Sequence, residues 1–275
     1  MSGFPWPPFA TNLAVTAAVA LAVMLATFAV AVVTGTHRVV DVAWGVAFTA
    51  VALATYALSA GHGDDGRRLL VTVATAVWGM RLAVHIAWRA RGTGEDPRYE
   101  RLLAKSSGSR HLYALRMVYL LQGLLVWLVS LPVQAAQYTA VPLGPSAVAG
   151  GALWATGMFF EATGDFQLAR FKADPANRGR IMDRGLWAWT RHPNYFGDFL
   201  VWWGLFTLAC GSWQPAAVSV VSPLVMSYLL TRGSGQRLLE NYLADRPGYA
   251  EYTARTSGFF PLPPHRGTPG RGTER

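Results

Sequence analysis

Apolar residues fall in long blocks along this chain, and the short stretches between the blocks carry most of the charge. Several blocks reach the roughly 20 residues that a helix needs to cross a hydrocarbon core about 30 Å thick. Read against turn signals, they predict seven helical spans, near 12–33, 39–60, 68–88, 112–137, 146–169, 195–210 and 214–230. The expected fold class is therefore all-α: a polytopic membrane helix bundle formed as a single domain over residues 1–264. Met1 to Thr11 contains no Lys or Arg, so the first block lacks the basic leader of a secretory signal and is expected to remain as a helix.

Composition points the same way. Apolar side chains make up 52% of the 275 residues and charged ones only 14%, well below the roughly 25% charged residues of soluble domains. The net charge of +9 would suit nucleic acid in a soluble protein, but here its placement decides its meaning. Segments 89–111 and 170–191 are rich in Arg, and the tail after Thr231 holds seven more. The N-terminus, 138–145 and 211–213 hold no Lys or Arg, and Gly61 to Arg68 balances two arginines with two aspartates. Charge thus alternates loop by loop, and the positive-inside rule places the N-terminus outside and the C-terminus in the cytoplasm, as an odd number of spans requires. No nucleic-acid partner is expected. The Pro-, Gly- and Arg-rich end of the chain predicts a disordered basic tail over 265–275. Cys210 is the single cysteine, which excludes an intrachain disulfide and a cysteine metal cluster.

Charged groups within the apolar blocks mark candidate chemistry, since each costs at least about 2.5–3.5 kcal/mol at membrane depth. Arg81 and His85, Glu161 and Asp165, and Asn194 and Asp198 are each four apart, so each pair shares one helix face. Arg81 could simply neutralise Asp41, Glu161 or Asp165. The two carboxylates Glu161 and Asp165 would repel unless a cation, an arginine or a hydrogen-bonding ligand lay between them, and ribose hydroxyls would suit that place. Asp41 could be no more than an interfacial acid beside Trp44. His85 has no second histidine at ligand spacing, so no metal site is expected.

The most informative segment is Gly185 to Asp198, which contains Arg191-His192-Pro193-Asn194-Tyr195-Phe196-Gly197-Asp198. Pro193 disfavours helical geometry at His192, and Asn194 is expected to cap the helix that follows. That helix start would favour an anion, with Arg191, Lys172, Arg178 and Arg180 as nearby cations for a phosphate-bearing cofactor.

This segment resembles the signature of the steroid 5-alpha-reductase C-terminal domain. The similarity extends to Gly157 through Lys172, to Arg232, and to the Tyr249–Pro261 stretch with Tyr252, Arg255 and Phe259-Phe260-Pro261, covering about residues 150–264. Together with Trp78-Gly79-Met80-Arg81 and Gly94-Glu95-Asp96-Pro97-Arg98-Tyr99, the whole chain is similar to an uncharacterised bacterial membrane family that shares this domain. The resemblance implies an enzyme of the bacterial inner membrane in which NADPH enters from the cytoplasmic side and reduces a carbon–carbon double bond of a lipid held between helices. It assigns cofactor contacts to Glu161, Asp165, Lys172, Asn194, Tyr195, Asp198, Arg232 and Arg255. Arg191, His192 and Tyr252 complete the expected cofactor set. Asp41, Arg81 and His85, in the region where substrate-polarising groups are expected by analogy, are the catalytic candidates. Asp198 stands where steroid reductases usually carry Glu.

Two other readings remain open from the residues. A membrane methyltransferase of the isoprenylcysteine carboxyl methyltransferase type carries a similar Arg-His-Pro-x-Tyr-x-Gly stretch and uses S-adenosylmethionine, although it usually has paired acids after the last span where this chain has Glu240 alone. A transporter or scaffold could line a solute path with the same polar faces. Substrate identity and oligomeric state do not follow from the sequence.

Overall fold

Helices account for the architecture of the computed structural model, which describes residues 3–233 and 235–264. Among them there is no strand, only an isolated bridge between Thr190 and Ser257. Five helices are long and apolar enough to cross a membrane: Trp6–Thr34, Val39–Leu58, Asp65–Ala90, Arg110–Gln137 and Trp213–Leu243. The chain is thus an integral membrane protein by the length and composition of its helices. The other two expected spans are also helical. Pro145–Ala173, however, is diluted by glycines and by Glu161 and Asp165, and Pro193–Ala209 is only 17 residues long. The expected disordered tail, 265–275, lies outside the described residues.

The chain forms two compact units, one of Met1–Gly151 with Gly204–Pro223, the other of Ala152–Trp203 with Leu224–Arg275. In the first unit the Val39–Leu58 and Asp65–Ala90 helices touch backbone to backbone. A Cβ on Gly45 would lie 2.0 Å from the Gly79 carbonyl oxygen, so only glycine permits this approach. Outward faces keep Leu21, Leu25, Leu53, Val73 and Val84 exposed, as a bilayer solvent allows.

Polar groups inside this unit find partners within it. Gln134 ties the first helix to the fourth: its Oε1 accepts from Asn12 Nδ2 at 3.0 Å and Thr16 Oγ1 at 2.7 Å. Arg67 is fully buried at the start of its helix and donates to the Val141 carbonyl at 3.2 Å, the Pro142 carbonyl at 3.1 Å and the Leu208 carbonyl. Arg110–Gln137 is not uniform: Leu115–Leu120 forms a π-helical turn, and the helix breaks at Ser130 ahead of Pro132.

In the second unit the Pro145–Ala173 and Pro193–Ala209 helices cross at glycine. A Cβ on Gly197 would lie 2.4 Å from the Glu161 backbone nitrogen and 2.6 Å from the Gly157 carbonyl oxygen. Phe196 and Phe199 pack edge-on against Phe259 and Phe260, with centroids 5.6–6.2 Å apart, which fixes the returning chain end to this helix pair.

Candidate functional site

The second unit gathers most of the residues singled out by the motif. The Gly185–Ala188 turn begins at positive φ, a backbone conformation that favours glycine at position 185. From this turn Leu186 N–H donates to Gln167 Oε1 at 3.0 Å and Trp187 Nε1 to the Gly164 carbonyl at 3.0 Å, docking the segment on the Pro145–Ala173 helix. Tyr252 donates its hydroxyl to the Trp187 carbonyl at 2.7 Å, and Thr190 Oγ1 donates to the Phe259 carbonyl at 2.8 Å. The motif is therefore held between one long helix and the chain end.

The helix that follows begins at Pro193, whose fixed φ and missing N–H suit the first helical position. Asn194 consequently lies inside the first turn instead of capping it, which corrects the expectation from sequence. Its Nδ2 donates to Asp165 Oδ1 at 3.1 Å, and its Oδ1 accepts from the Tyr195 N–H at 3.1 Å. Glu161 and Asp165 are buried, with 3% and 7% exposure, on the face that meets this helix start. Asp198 follows one turn on, half-buried.

Arg191 and His192 share one carboxylate oxygen. Glu240 Oε1 accepts from Arg191 Nε at 2.9 Å, His192 Nε2 at 3.0 Å and Gln236 Nε2 at 3.1 Å. Arg191 Nη1 also donates to the Thr253 and Thr256 carbonyls at 3.2 and 3.0 Å, so this arginine braces the motif to the chain end. The His192 ring is 2% exposed and lies flat on Tyr195, with centroids 5.4 Å apart and planes 5° from parallel.

Beside Arg191 and His192 lies a cavity of about 500 Å³. Lys172, Arg178, Arg180 and Arg246 line it along with Arg191, and Asp174 is its only acid among the described residues. Trp187, Tyr242, Tyr249 and Tyr252 supply aromatic walls. Burial pushes the Tyr249 and Tyr252 hydroxyls above their ordinary pKa, so both stay protonated donors. A second, more open cavity of about 740 Å³ is lined by Arg180, Arg184 and Arg255, and Arg255 pairs there with Asp183. Arg232 follows its helix exposed, and lines neither cavity.

The expected cofactor residues thus divide within this unit. Lys172, Arg191, His192 and Tyr252 line the first cavity and Arg255 the second, whereas Glu161, Asp165, Asn194, Tyr195 and Asp198 belong to the polar helix crossing. Glu240, Arg246 and Tyr249 escaped the sequence reading. Only the acid left in the segment after the last span hinted at Glu240, and its pairing with His192 bridges 48 positions.

Asp41, Arg81 and His85 belong to the first unit. Arg81 and His85 share a face of the Asp65–Ala90 helix, half-buried, with the His85 ring 6.3 Å from that of Trp88. Asp41 accepts from Tyr99 Oη at 2.5 Å and Arg98 Nη2 at 2.7 Å, both from the Gly94–Tyr99 segment. Burial, then the Asp41 charge, raises the Tyr99 hydroxyl well above its ordinary pKa. Glu95 in the same segment receives the His37 and Arg38 N–H groups that open the Val39–Leu58 helix. His37 Nδ1 meets Tyr119 Oη at 3.0 Å in the π-helical turn, and burial lowers the His37 pKa against the opposing charge of Glu95. Glu95→Ala should cost about 1–2 kcal/mol, the usual loss of a helix cap, and lower the melting temperature accordingly. An unchanged melting temperature would show that water replaces the cap fully.

A family model matches residues 27–256, and its description is a protein of unknown function, DUF1295. No curated protein and no solved structure matches the chain.

Proposed function

We propose that this chain, which belongs to the DUF1295 family of proteins of unknown function, is a membrane-embedded reductase that uses NADPH to saturate a carbon–carbon double bond in a lipid. The observation that carries this reading is the first cavity, which combines five cations, aromatic walls and the Arg191-His192-Pro193 helix start. That combination suits a ligand with several phosphates and flat bases. The resemblance of the motif to steroid 5-alpha-reductases points to the same ligand.

The residues fit such a cofactor by their donor set. Lys172, Arg178, Arg180 and Arg246 offer charge to phosphate, and Tyr242, Tyr249 and Tyr252 offer ring faces and hydroxyls. Asn194 Nδ2 donates to Asp165 Oδ1 at 3.1 Å, and an amide beside a carboxylate is chemistry that suits ribose hydroxyls. NADPH bound there supplies a hydride. The reaction also needs a proton for the second carbon of the double bond. In this reading the Pro145–Ala173 and Pro193–Ala209 helices also cross the bilayer, giving seven spans with the N-terminus outside and the basic segments and cofactor in the cytoplasm. The substrate class is a conjugated lipid: steroid, polyprenyl or fatty acyl.

Glu240 favours one second reading. By neutralising Arg191 it lowers the charge available to a phosphate, which suits phosphate-free S-adenosylmethionine and hence a methyltransferase.

The test is NADPH oxidation by protein in nanodiscs offered conjugated steroid, polyprenyl and fatty-acyl lipids. Turnover with at least one is expected, and Asn194→Ala or Asp198→Ala should lower it at least about tenfold by weakening cofactor binding. Methylation of a lipid acceptor with S-adenosylmethionine, and no oxidation with any lipid, would overturn the reductase reading.

A further inference from the structure

The last of the five apolar helices, Trp213–Leu243, is not continuous. Trp213–Ser219 and Val221–Thr231 together come close to the roughly 20 residues that a crossing needs, so the chain leaves the bilayer near Thr231. It turns there at once. The Arg232 and Gly233 N–H groups donate to the Tyr228 carbonyl at 2.8 and 2.9 Å, and the Gly235 N–H donates to the Leu229 carbonyl at 3.0 Å. A Cβ on Gly235 would lie 2.2 Å from the Leu230 carbonyl oxygen, so the next helix, Gln236–Leu243, starts against the last turn of the span. At 1.5 Å per residue, Tyr242 stands no more than about 11 Å from that start.

Gln236–Leu243 is sharply amphipathic, yet none of its residues is fully buried. Its inner face is settled: Glu240 meets Arg191 and His192, and half-buried Leu239 and Leu243 wall the basic cavity. Its outer face carries Leu238 and Tyr242, one turn apart and 45% and 60% exposed. Arg232 and Arg237 are exposed and line neither cavity, and the Arg246 guanidinium sits 6.0 Å from the centre of the Tyr242 ring. Of the two acids between Arg232 and Arg246, Glu240 is already paired with Arg191, which leaves Asp245 against three arginines. A leucine and a tyrosine on one uncovered face, rimmed by arginines and starting where a span ends, suit the headgroup layer of a bilayer. Apolar groups reach the acyl boundary there, tyrosine is favoured, and long cationic side chains meet lipid phosphate.

We propose that Gln236–Leu243 is a membrane-surface helix whose Leu238 and Tyr242 sit in the headgroup layer of an anionic leaflet, with Arg232 and Arg237 on lipid phosphates. Anionic lipid is the partner because the exposed charge of this segment is positive. The same helix walls the basic cavity, so the contact sets that cavity beside the lipid surface. The inference goes beyond the reductase reading and holds whether or not the cavity takes a nucleotide.

Spin labels on Leu238→Cys and on Ala244→Cys test it, each in the full-length chain with Cys210→Ala and in nanodiscs of phosphatidylcholine with or without phosphatidylglycerol. Ala244 is exposed and lies across the helix from Tyr242, so its label is the water-facing control. With phosphatidylglycerol, oxygen should reach the Leu238 label and a water-soluble nickel complex should not, and the Ala244 label should show the reverse. Omitting phosphatidylglycerol, or adding Arg232→Gln with Arg237→Gln, should raise nickel access to the Leu238 label. Equal nickel access at the two positions in anionic discs, or shielding of Leu238 that neither change reduces, overturns the inference. Spin–spin broadening between Leu238 labels would show a second copy of the chain on this face and overturn it as well. In the unsubstituted chain, the amides of 236–243 should exchange with deuterium more slowly when phosphatidylglycerol is present, and identical exchange in the two lipids contradicts the contact.

Discussion

Arg67→Met should lower the melting temperature of the purified protein by roughly 10 °C, the largest single-site effect expected in the first unit. The guanidinium is fully buried and supplies donors to three backbone carbonyls: Val141 and Pro142 in the loop after the fourth span, and Leu208 near the end of another helix. Methionine fills much of the volume but donates nothing. The loop carbonyls can turn to water, whereas the Leu208 carbonyl faces the protein interior, and about 1–3 kcal/mol is lost for each acceptor that stays unpaired. Arg89→Ala, at an exposed site of the same helix, is the control and should stay within about 0.5 kcal/mol of wild type. Melting curves of the two variants side by side decide it: equal and small shifts would mean that Arg67 is not the brace described here.

Gly197→Ala should be nearly as damaging, and for a steric reason. The added methyl would sit 2.4 Å from the Glu161 backbone nitrogen and 2.7 Å from the Glu161 Cβ, where no flexible side-chain tip can move aside. The Pro145–Ala173 and Pro193–Ala209 helices must then separate, at a cost of about 1–3 kcal/mol or more, and the 3.1 Å bond between Asn194 and Asp165 is pulled apart with them. We expect a clear loss of thermal stability together with loss of any nucleotide-induced stabilisation. Gly151→Ala is the matched control, because a Cβ there meets nothing within 4 Å. If Gly197→Ala melts like Gly151→Ala, the helix crossing is looser than its glycines indicate.

These predictions show which parts of the structure the sequence can and cannot convey. The long apolar helices are legible because one local property, about twenty apolar residues in a row, specifies them. Pro145–Ala173 and Pro193–Ala209 are legible as helices, and their span signal is weaker because Glu161, Asp165 and the glycines of the crossing dilute the apolar run. The Arg191-His192-Pro193 segment stands out in the sequence as a candidate site, because a cation, a proline and a helix start lie side by side. Asn194 was misjudged as a cap because Pro193 can itself occupy the first helical turn, and the asparagine is drawn instead to Asp165 across the crossing.

Pairings across long stretches of chain were invisible. Tyr99 and Asp41 are 58 positions apart, and Arg191 and Glu240 are 49 apart. No periodicity or motif in a single sequence links them, although Arg98 and Tyr99 lie in a segment that carries part of the family resemblance. Arg67 looked like one half of a charge-balanced loop, and only the fold shows its guanidinium turned inward onto backbone carbonyls.

The central claim is that the second unit binds NADPH, and ligand-induced thermal stabilisation tests it most directly, since a ligand that binds only the folded protein raises its stability by mass action. Purified wild-type protein is melted with NADPH, NADH and S-adenosylmethionine side by side. The account predicts stabilisation by NADPH, amounting to about 2.7 kcal/mol once the ligand is a hundredfold above its dissociation constant. Stabilisation by S-adenosylmethionine alone, or by none of the three, would contradict it.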